Sequence, residues 1–354
     1  MNQKEMSGKA QTVLGLISAD SLGKTLMHEH LFIDISRLFM EPSEVDEKKM
    51  AYEKVRLENL YWVRLHVFNN LDNLYLVDEE MAVKEALFFR SAGGSTIIQV
   101  TPCGALGRNP QGLVNVAKKT GLNIIMGTGY YVSFLHPPQL ASWTEEEIAY
   151  EMVKEITVGV GNTGICAGII GEIGCSAPLD ENERKVLRSC ARAQRHTGAA
   201  ISIHPSPGDD LVLEDIRVLK DAGADLNRVI VGHMDIQDYN SVTCRKIMDE
   251  GCYIEFDSFG LEGFFEVPHR GYMGDEKRID RILGFIKDDY IKHILISQDI
   301  GTKERLTSFG GTGYAHILRD VVPIMEFKGM SEEQINTLLI ENPKRVLSLA
   351  SVKE

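Results

Sequence analysis

Between residues 25 and 299 the chain alternates eight times between a short β-branched run and a longer stretch of helical periodicity. The short runs lie at 25–34, 95–100, 123–131, 167–174, 200–205, 228–233, 252–257 and 293–299, and they end in Gly, Pro or polar residues. Helical patterns at 78–92, 110–120 and 210–222 separate them. Two capping boxes, Thr144-x-x-Glu147 and Asp180-x-x-Glu183, open two more helices, the second running to Thr197-Gly198. Parallel neighbours need long crossovers, so strict alternation of this kind calls for a parallel sheet. Eight such units predict a closed α/β architecture, the (β/α)8 TIM barrel. A doubly wound open sheet is the runner-up, but the first βα turn carries no G-x-G-x-x-G phosphate-binding signature. Chain length alone suggests about two domains, yet α/β barrels use this much chain in one, and residues 1–354 are expected to form a single barrel domain. An N-terminal hairpin is expected at 11–24. A long insertion at 34–77 follows strand one, with a helical stretch near 57–67. Such an excursion reads as a lid or a subunit contact, and the second option would make the protein a homodimer. A final helix is expected at the Ser331-x-x-Gln334 box and 335–340, stopping before Pro343.

Composition limits the partners. The chain is 44% hydrophobic and 25% charged, enough apolar material for a large core. Its net charge of −13, with no basic run, argues against a nucleic-acid partner. It leaves an anionic small-molecule substrate open, because a bound metal pair outweighs distant surface charge in its own site. The six cysteines (103, 166, 175, 190, 244 and 252) form no C-x-x-C and fit reduced thiols. The polar start of the chain lacks a signal-peptide core. No apolar run approaches the ~18 residues that cross a bilayer. A cytoplasmic protein without a membrane partner is the expectation.

The chemistry lies at the strand ends. In strand one, His28 and His30 sit at i and i+2, which places two imidazoles on one face and turns Glu29 the other way. An isolated His-x-His also fits a strand with two hydrogen-bonded histidines. Glu172 lies toward the end of strand four and His204 near the end of strand five, while His233 ends strand six and Asp299 ends strand eight. In a barrel these ends converge on the face that carries active sites. Four histidines and two carboxylates arriving there form an N/O ligand set suited to Zn²⁺, Mn²⁺ or Fe²⁺.

These residues stand in a wider set of motifs. Gly23-Lys24-Thr25-Leu26-Met27-His28-Glu29-His30-Leu31 is followed in order by Thr101-Pro102, Gly107-Arg108-Asn109-Pro110 and Met126-Gly127-Thr128-Gly129-Tyr130-Tyr131. Gly168 to Gly174, Val231-Gly232-His233 and Ile296-Ser297-Gln298-Asp299 complete it. Over essentially the whole chain the ordered set resembles the phosphotriesterase family of the amidohydrolase superfamily. Gly171-Glu172-Ile173-Gly174-Cys175-Ser176, the Asp299–Leu306 segment, Gly310-Gly311-x-Gly313-Tyr314 and Ile340-Glu341-Asn342-Pro343-Lys344 are similar to its animal-type phosphotriesterase-related branch.

The resemblance implies a dinuclear metal site. His28, His30 and Asp299 would hold a buried ion, and His204 and His233 a more exposed one. Many members bridge the two with a carboxylated lysine; here Glu172 stands in that place, and a carboxylate likewise offers two oxygens to two cations. The implied reaction is attack by a bridging hydroxide, with Asp299 as the catalytic residue that takes up and returns the proton. Many relatives have a histidine after strand seven in the proton path, whereas Asp257-Ser258 has none. The branch is associated with amide hydrolysis of N-acetyltaurine and related N-acyl amino acids. A lactonase or esterase, a phosphotriesterase, and a non-catalytic metal-bound binding protein are the competing readings. For substrate contacts, Tyr131 is expected as an aromatic pocket residue, with core packing as its plainer role. Lys303 and Arg305 are candidates for an anionic tail, with a solvated basic turn as theirs. The 258–275 loop, rich in glycine and aromatics, is expected to wall the pocket.

Overall fold

Strand β1 (Thr25–Glu29) is buried at every residue, as befits a parallel strand covered on both faces. It opens a series seen here in a computed structural model that describes residues 6–236, 239–265 and 270–351. Residues 266–269 of the expected pocket loop lie outside that range.

The series continues as α1 (Glu79–Ser91), β2 (Thr96–Gln99), α2 (Pro110–Thr120), β3 (Asn123–Thr128), α3 (Glu145–Thr157) and β4 (Ile169–Gly174). Then come α4 (Glu181–Thr197), β5 (Ile201–His204), α5 (Asp209–Asp221), β6 (Val229–Val231), α6 (Ser241–Asp249), β7 (Tyr253–Phe256), α7 (Asp275–Lys287) and β8 (Ile294–Ile296). The eight strands form one sheet in sequence order, and the neighbouring pairs are parallel. Hydrogen bonds from His28 N–H to Ser297 Oγ (2.8 Å) and from Asp299 N–H to the His28 carbonyl (3.0 Å) join β8 back to β1. The result is the α/β TIM barrel.

Local sequence explains the framework. Thr144 and Asp180 cap α3 and α4 through complete capping boxes, and Gly198 closes α4 in the left-handed conformation at φ 71°. Met27, Ile98, Ile125, Ile169, Ile230, Tyr253 and Leu295 pack into one cluster with Ala10, Ala19 and Leu22. The N-terminal segment therefore plugs the end of the barrel opposite the strand C-termini. A second, larger cluster joins the outer strand faces to the helices, for example Leu26, Ile97, Ile124 and Ile254 with Phe89, Val116 and Ile247.

Three expectations shift. The hairpin pairs Lys9–Thr12 with Gly15–Ser18 and so begins two residues earlier, with residues 19–21 in a 3₁₀ turn. The helix expected at 57–67 is only Leu60–Leu65; the insertion also holds Val45–Tyr52 and is closed by Ile33–Asp34 pairing antiparallel with Tyr75–Leu76. The last helix does not stop before Pro343. A π-helical turn at Thr337–Glu341 leaves Pro343 in the first turn of Asn342–Leu347, where its missing N–H removes no helical bond.

Candidate metal centre

The six expected ligand side chains meet at the C-terminal mouth of the barrel. Ligand atoms of His28, His30 and Asp299 lie within 4.8 Å of one another, and so do those of Glu172, His204 and His233. Glu172 Oε1 lies between the groups, 2.7 Å from His233 Nε2, 3.0 Å from His204 Nδ1 and 3.6 Å from His28 Nε2. Asp299 Oδ1 is 3.2 Å from His30 Nε2 and 3.7 Å from His28 Nε2.

Simple strand alternation does not produce this aim. The β1–β2 register shifts between Leu26 and Glu29, and the β4–β5 register shifts between Ile170 and Ile173. Such irregularities re-aim side chains, and both fall at expected ligands. Gly171, at φ 148°, shapes the second. A Cβ there would lie 2.6 Å from the Ser202 carbonyl oxygen, so only glycine lets the chain turn Glu172 inward.

His233 (φ 56°) and Asp299 (φ 50°) adopt left-handed backbone conformations unusual for non-glycine residues. Residues in such regions persist only where their surroundings hold them. Asp257 holds His233, accepting its backbone N–H at 2.7 Å and facing its Nδ1 at 2.9 Å. Glu29 holds the segment around Asp299. Its carboxylate accepts Ser297 Oγ–H at 2.8 Å, Gln298 N–H at 2.9 Å and Ile300 N–H at 3.0 Å. Burial pushes the Glu29 carboxyl up to about 8 despite these bonds.

The remote nitrogens are also occupied. His30 Nδ1 lies 2.8 Å from Thr101 Oγ1, and His28 Nδ1 lies 3.4 Å from Glu255 and 3.5 Å from Asp257. Supporting contacts of this kind turn the opposite nitrogen toward a metal. His28 Nε2 is buried and has no hydrogen-bond partner among the described residues, although it lies 3.6 Å from Glu172 and 3.7 Å from Asp299. A buried polar atom left bare is costly, and a cation would satisfy it. The donor set of imidazoles and carboxylates fits divalent metal ions.

Electrostatics agree. Burial disfavours charge on Glu172, but His28, His204 and His233 hold its carboxyl well below the usual range. Burial likewise opposes charge on Asp299, while the His30 hydrogen bond and neighbouring histidines bring it to about 2. Both are carboxylates at neutral pH.

A cavity of about 340 Å³ opens onto the cluster. Tyr131 lines it, with its hydroxyl 3.0 Å from His204 Nδ1. Arg305 lines it as well and is largely buried; its guanidinium donates to the Asp299 and Phe259 carbonyls at 3.0 Å each. Lys303 is absent from the lining. The insertion packs on the segment after β8, and Lys303 Nζ sits 2.7 Å from Asp72 Oδ1, which Lys54 shares. Leu261 and Tyr272 are the described members of the expected pocket loop that reach the cavity.

Glu29, Thr101, Glu255 and Asp257 were not singled out as site residues from sequence. A signal existed for two of them. Glu29 is an acid inside an apolar strand, and Asp257 ends a buried strand run.

The comparisons with known proteins agree with this geometry. The model of the "Phosphotriesterase family" matches residues 8–347. An "N-acetyltaurine hydrolase" of Dictyostelium discoideum is 42% identical across 98% of this chain and 99% of its own. Its Homo sapiens counterpart is 38% identical across 97% and 99%. The solved structure of a "Resiniferatoxin-binding protein" from Rhodobacter sphaeroides superposes with a TM-score of 0.93 at 33% identity, covering 96% of this chain and 95% of that one. A convergent His/Asp/Glu cluster at the mouth of a barrel, a near full-length family match and relatives of this similarity lead to one conclusion: the chain is a metal-dependent hydrolase belonging to the phosphotriesterase family.

Proposed function

We propose that the chain is a dinuclear-metal amidase cleaving N-acetyltaurine or related N-acyl amino acids. The observation that carries the dinuclear reading is the place of Glu172, within 3.6 Å of three histidines that divide between two ligand groups. His28, His30 and Asp299 would hold one cation, His204 and His233 the other, and Glu172 would span them. When bound, the two ions, Zn²⁺ first and Mn²⁺ or Fe²⁺ as alternatives, would lower the pKa of a shared water toward about 7 and so supply hydroxide at neutral pH.

The protein's own groups do the rest. Asp299 is ionised and, at 24% side-chain exposure, is the more accessible of the cluster's two carboxylates. It is placed to accept the water proton and return it to the departing amine. Asp257 does not replace the histidine missing after β7, because both its oxygens face His233. An unaided Asp299, or a relay other than Asp257, would then pass the proton on. Tyr131, beside His204, would orient the carbonyl end. Arg305 lines the cavity and is the candidate for an anionic tail, whereas Lys303 is held by Asp72.

The amide preference rests on the relatives named for N-acetyltaurine hydrolysis. Lactone, ester and phosphotriester substrates need the same nucleophile and remain the alternative. The binding-protein alternative is supported by the apolar lining of the cavity and by a structural relative named for ligand binding. The second-copy partner is supported by the insertion, which exposes Val45, Tyr52, Leu57 and Tyr61; sedimentation at equilibrium tests it.

The test of the main reading is metal analysis together with turnover of N-acetyltaurine, a lactone and an aryl phosphotriester. Two equivalents of metal, amide turnover above the other two, and its loss in Asp299→Asn are expected. Full activity in Asp299→Asn or a metal-free active protein would overturn the mechanism, and lactone or phosphotriester turnover without amide cleavage would overturn the substrate.

A further inference from the structure

The cavity has more aliphatic lining than an acetyl group needs. At about 340 Å³ it falls within the range of ~300–1,000 Å³ that holds drug-sized ligands. Besides the cluster, its lining includes Ile35, Leu38, Val67 and Phe68 of the insertion, with Leu106 after β2 and Leu261 after β7. All but Leu106 are only half-buried, so their apolar surface faces the cavity without a covering side chain layer. The polar lining besides the cluster includes Thr302, Glu304 and Arg305 of the segment after β8, with the hydroxyl-bearing Tyr131 and Tyr272.

The two arms of an N-acyl amino acid differ in what they require. An anionic amine arm cannot lie against the aliphatic wall, because burying an unpaired charge costs far more than apolar packing can offset. It belongs with Arg305. The aliphatic wall is then left to the acyl arm. We infer that the enzyme is built for amides whose acyl group is an apolar chain or ring well beyond acetyl, with the insertion after β1 as the acyl-reading element. The inference rests on the hydrolase reading above.

The experiment uses the metal-loaded protein and a series of N-acyltaurines carrying acetyl, butanoyl, hexanoyl and benzoyl groups. kcat/KM is measured for each. Dissociation constants are measured by calorimetry for ketone isosteres, in which CH₂ replaces the scissile N–H, so that binding is read without hydrolysis. Burial of each added methylene is expected to tighten binding about fourfold, giving roughly 10²-fold from acetyl to hexanoyl. Phe68→Trp, which fills the acyl wall, is expected to cut the hexanoyl-to-acetyl ratio about tenfold or more, the equivalent of two methylenes. Affinity that stays flat or falls from acetyl to hexanoyl overturns the inference, even where N-acetyltaurine is cleaved. Affinity that rises along the isosteres with no turnover of any amide supports the acyl wall and overturns the amidase reading instead.

Discussion

The two halves of the metal centre are built differently. In the half formed by His28, His30 and Asp299 both histidines are sunk in the barrel, with side chains 0% and 6% exposed, and only Asp299, at 24%, is appreciably open. Glu255, Thr101 and Glu29 stand behind it in turn. The half formed by His204 and His233 is uneven. His233 is gripped twice by Asp257, but the His204 side chain is 28% exposed beside the Tyr131 hydroxyl at the cavity edge. A site that must hold its ions yet admit a substrate benefits from this division. On the proposed two-ion reading, the sunken histidines would resist exchange and the open side would face the incoming carbonyl.

The largest expected effect breaks both halves together. Chelation is expected to abolish turnover and lower the melting temperature, because bound ions stabilise only the folded state. Metal should leave in two steps, first from His204 and His233. Simultaneous loss, followed by titrating chelator against metal content, would contradict the asymmetry. Glu172→Gln, which removes the shared carboxylate, should lower activity beyond the ~100-fold ceiling typical of supporting residues and reduce binding at both positions. Retention of two equivalents of metal by that variant would remove Glu172 from its bridging role.

Supporting residues should separate the halves. Asp257→Asn disturbs both contacts to His233 and is expected to weaken metal binding there by about 10–100-fold. Thr101→Val deletes one contact to His30 and should fall near the ~10-fold end, on the buried ion. Metal-stoichiometry titrations of the two variants read the difference; identical profiles would mean that the halves are not independently supported.

The smallest effect lies further back. Asp235 accepts the Asp257 and Ser258 N–H groups and pairs with the buried Arg278 at 2.6 Å. Arg278 also meets Asp275, which pairs with His316, and His316 in turn pairs with Asp320. Arg319 and the Gly260 N–H face the same carboxylates. Burial works against charge on His316, but Asp275 and Asp320 raise its pKa. Its contribution is therefore full below the unfolded value of ~6.5 and lost as pH rises through the folded one. Burial opposes charge on Asp275 too, yet His316 and Gly260 lower it, so its contribution is lost as pH falls through its folded value. His316→Gln should cost about 1–2 kcal/mol at pH 6 and less at pH 9. An equal loss of melting temperature at both values would show that His316 is not charged in the folded protein.

Much of this was legible in the chain. The eight β-branched runs became the eight strands, and the boxes at Thr144, Asp180 and Ser331 became caps, because hydrophobic period and capping chemistry are local. All six expected ligands came together, since each sits at the end of a recognisable strand. What was not legible depends on partners far away in sequence. Lys303 looked free for a substrate, but its partner Asp72 lies 231 residues earlier. Thr101 carries no local mark of the histidine that it faces, and Glu255, though an acid inside an apolar strand, gives no hint of which histidine it meets.

The sequence by itself determined the alternating architecture, the family and which six candidate ligand residues stand at the strand ends, all of which follow from residue type and short-range spacing. Only the tertiary structure decided how those residues aim. The register shifts at His28 and Glu172, the left-handed turns at His233 and Asp299, and the carboxylates that hold them arise from packing between strands remote in the chain. It also decided that the cavity is walled by the insertion, because a surface is lined by whatever folds over it and not by what is adjacent in sequence.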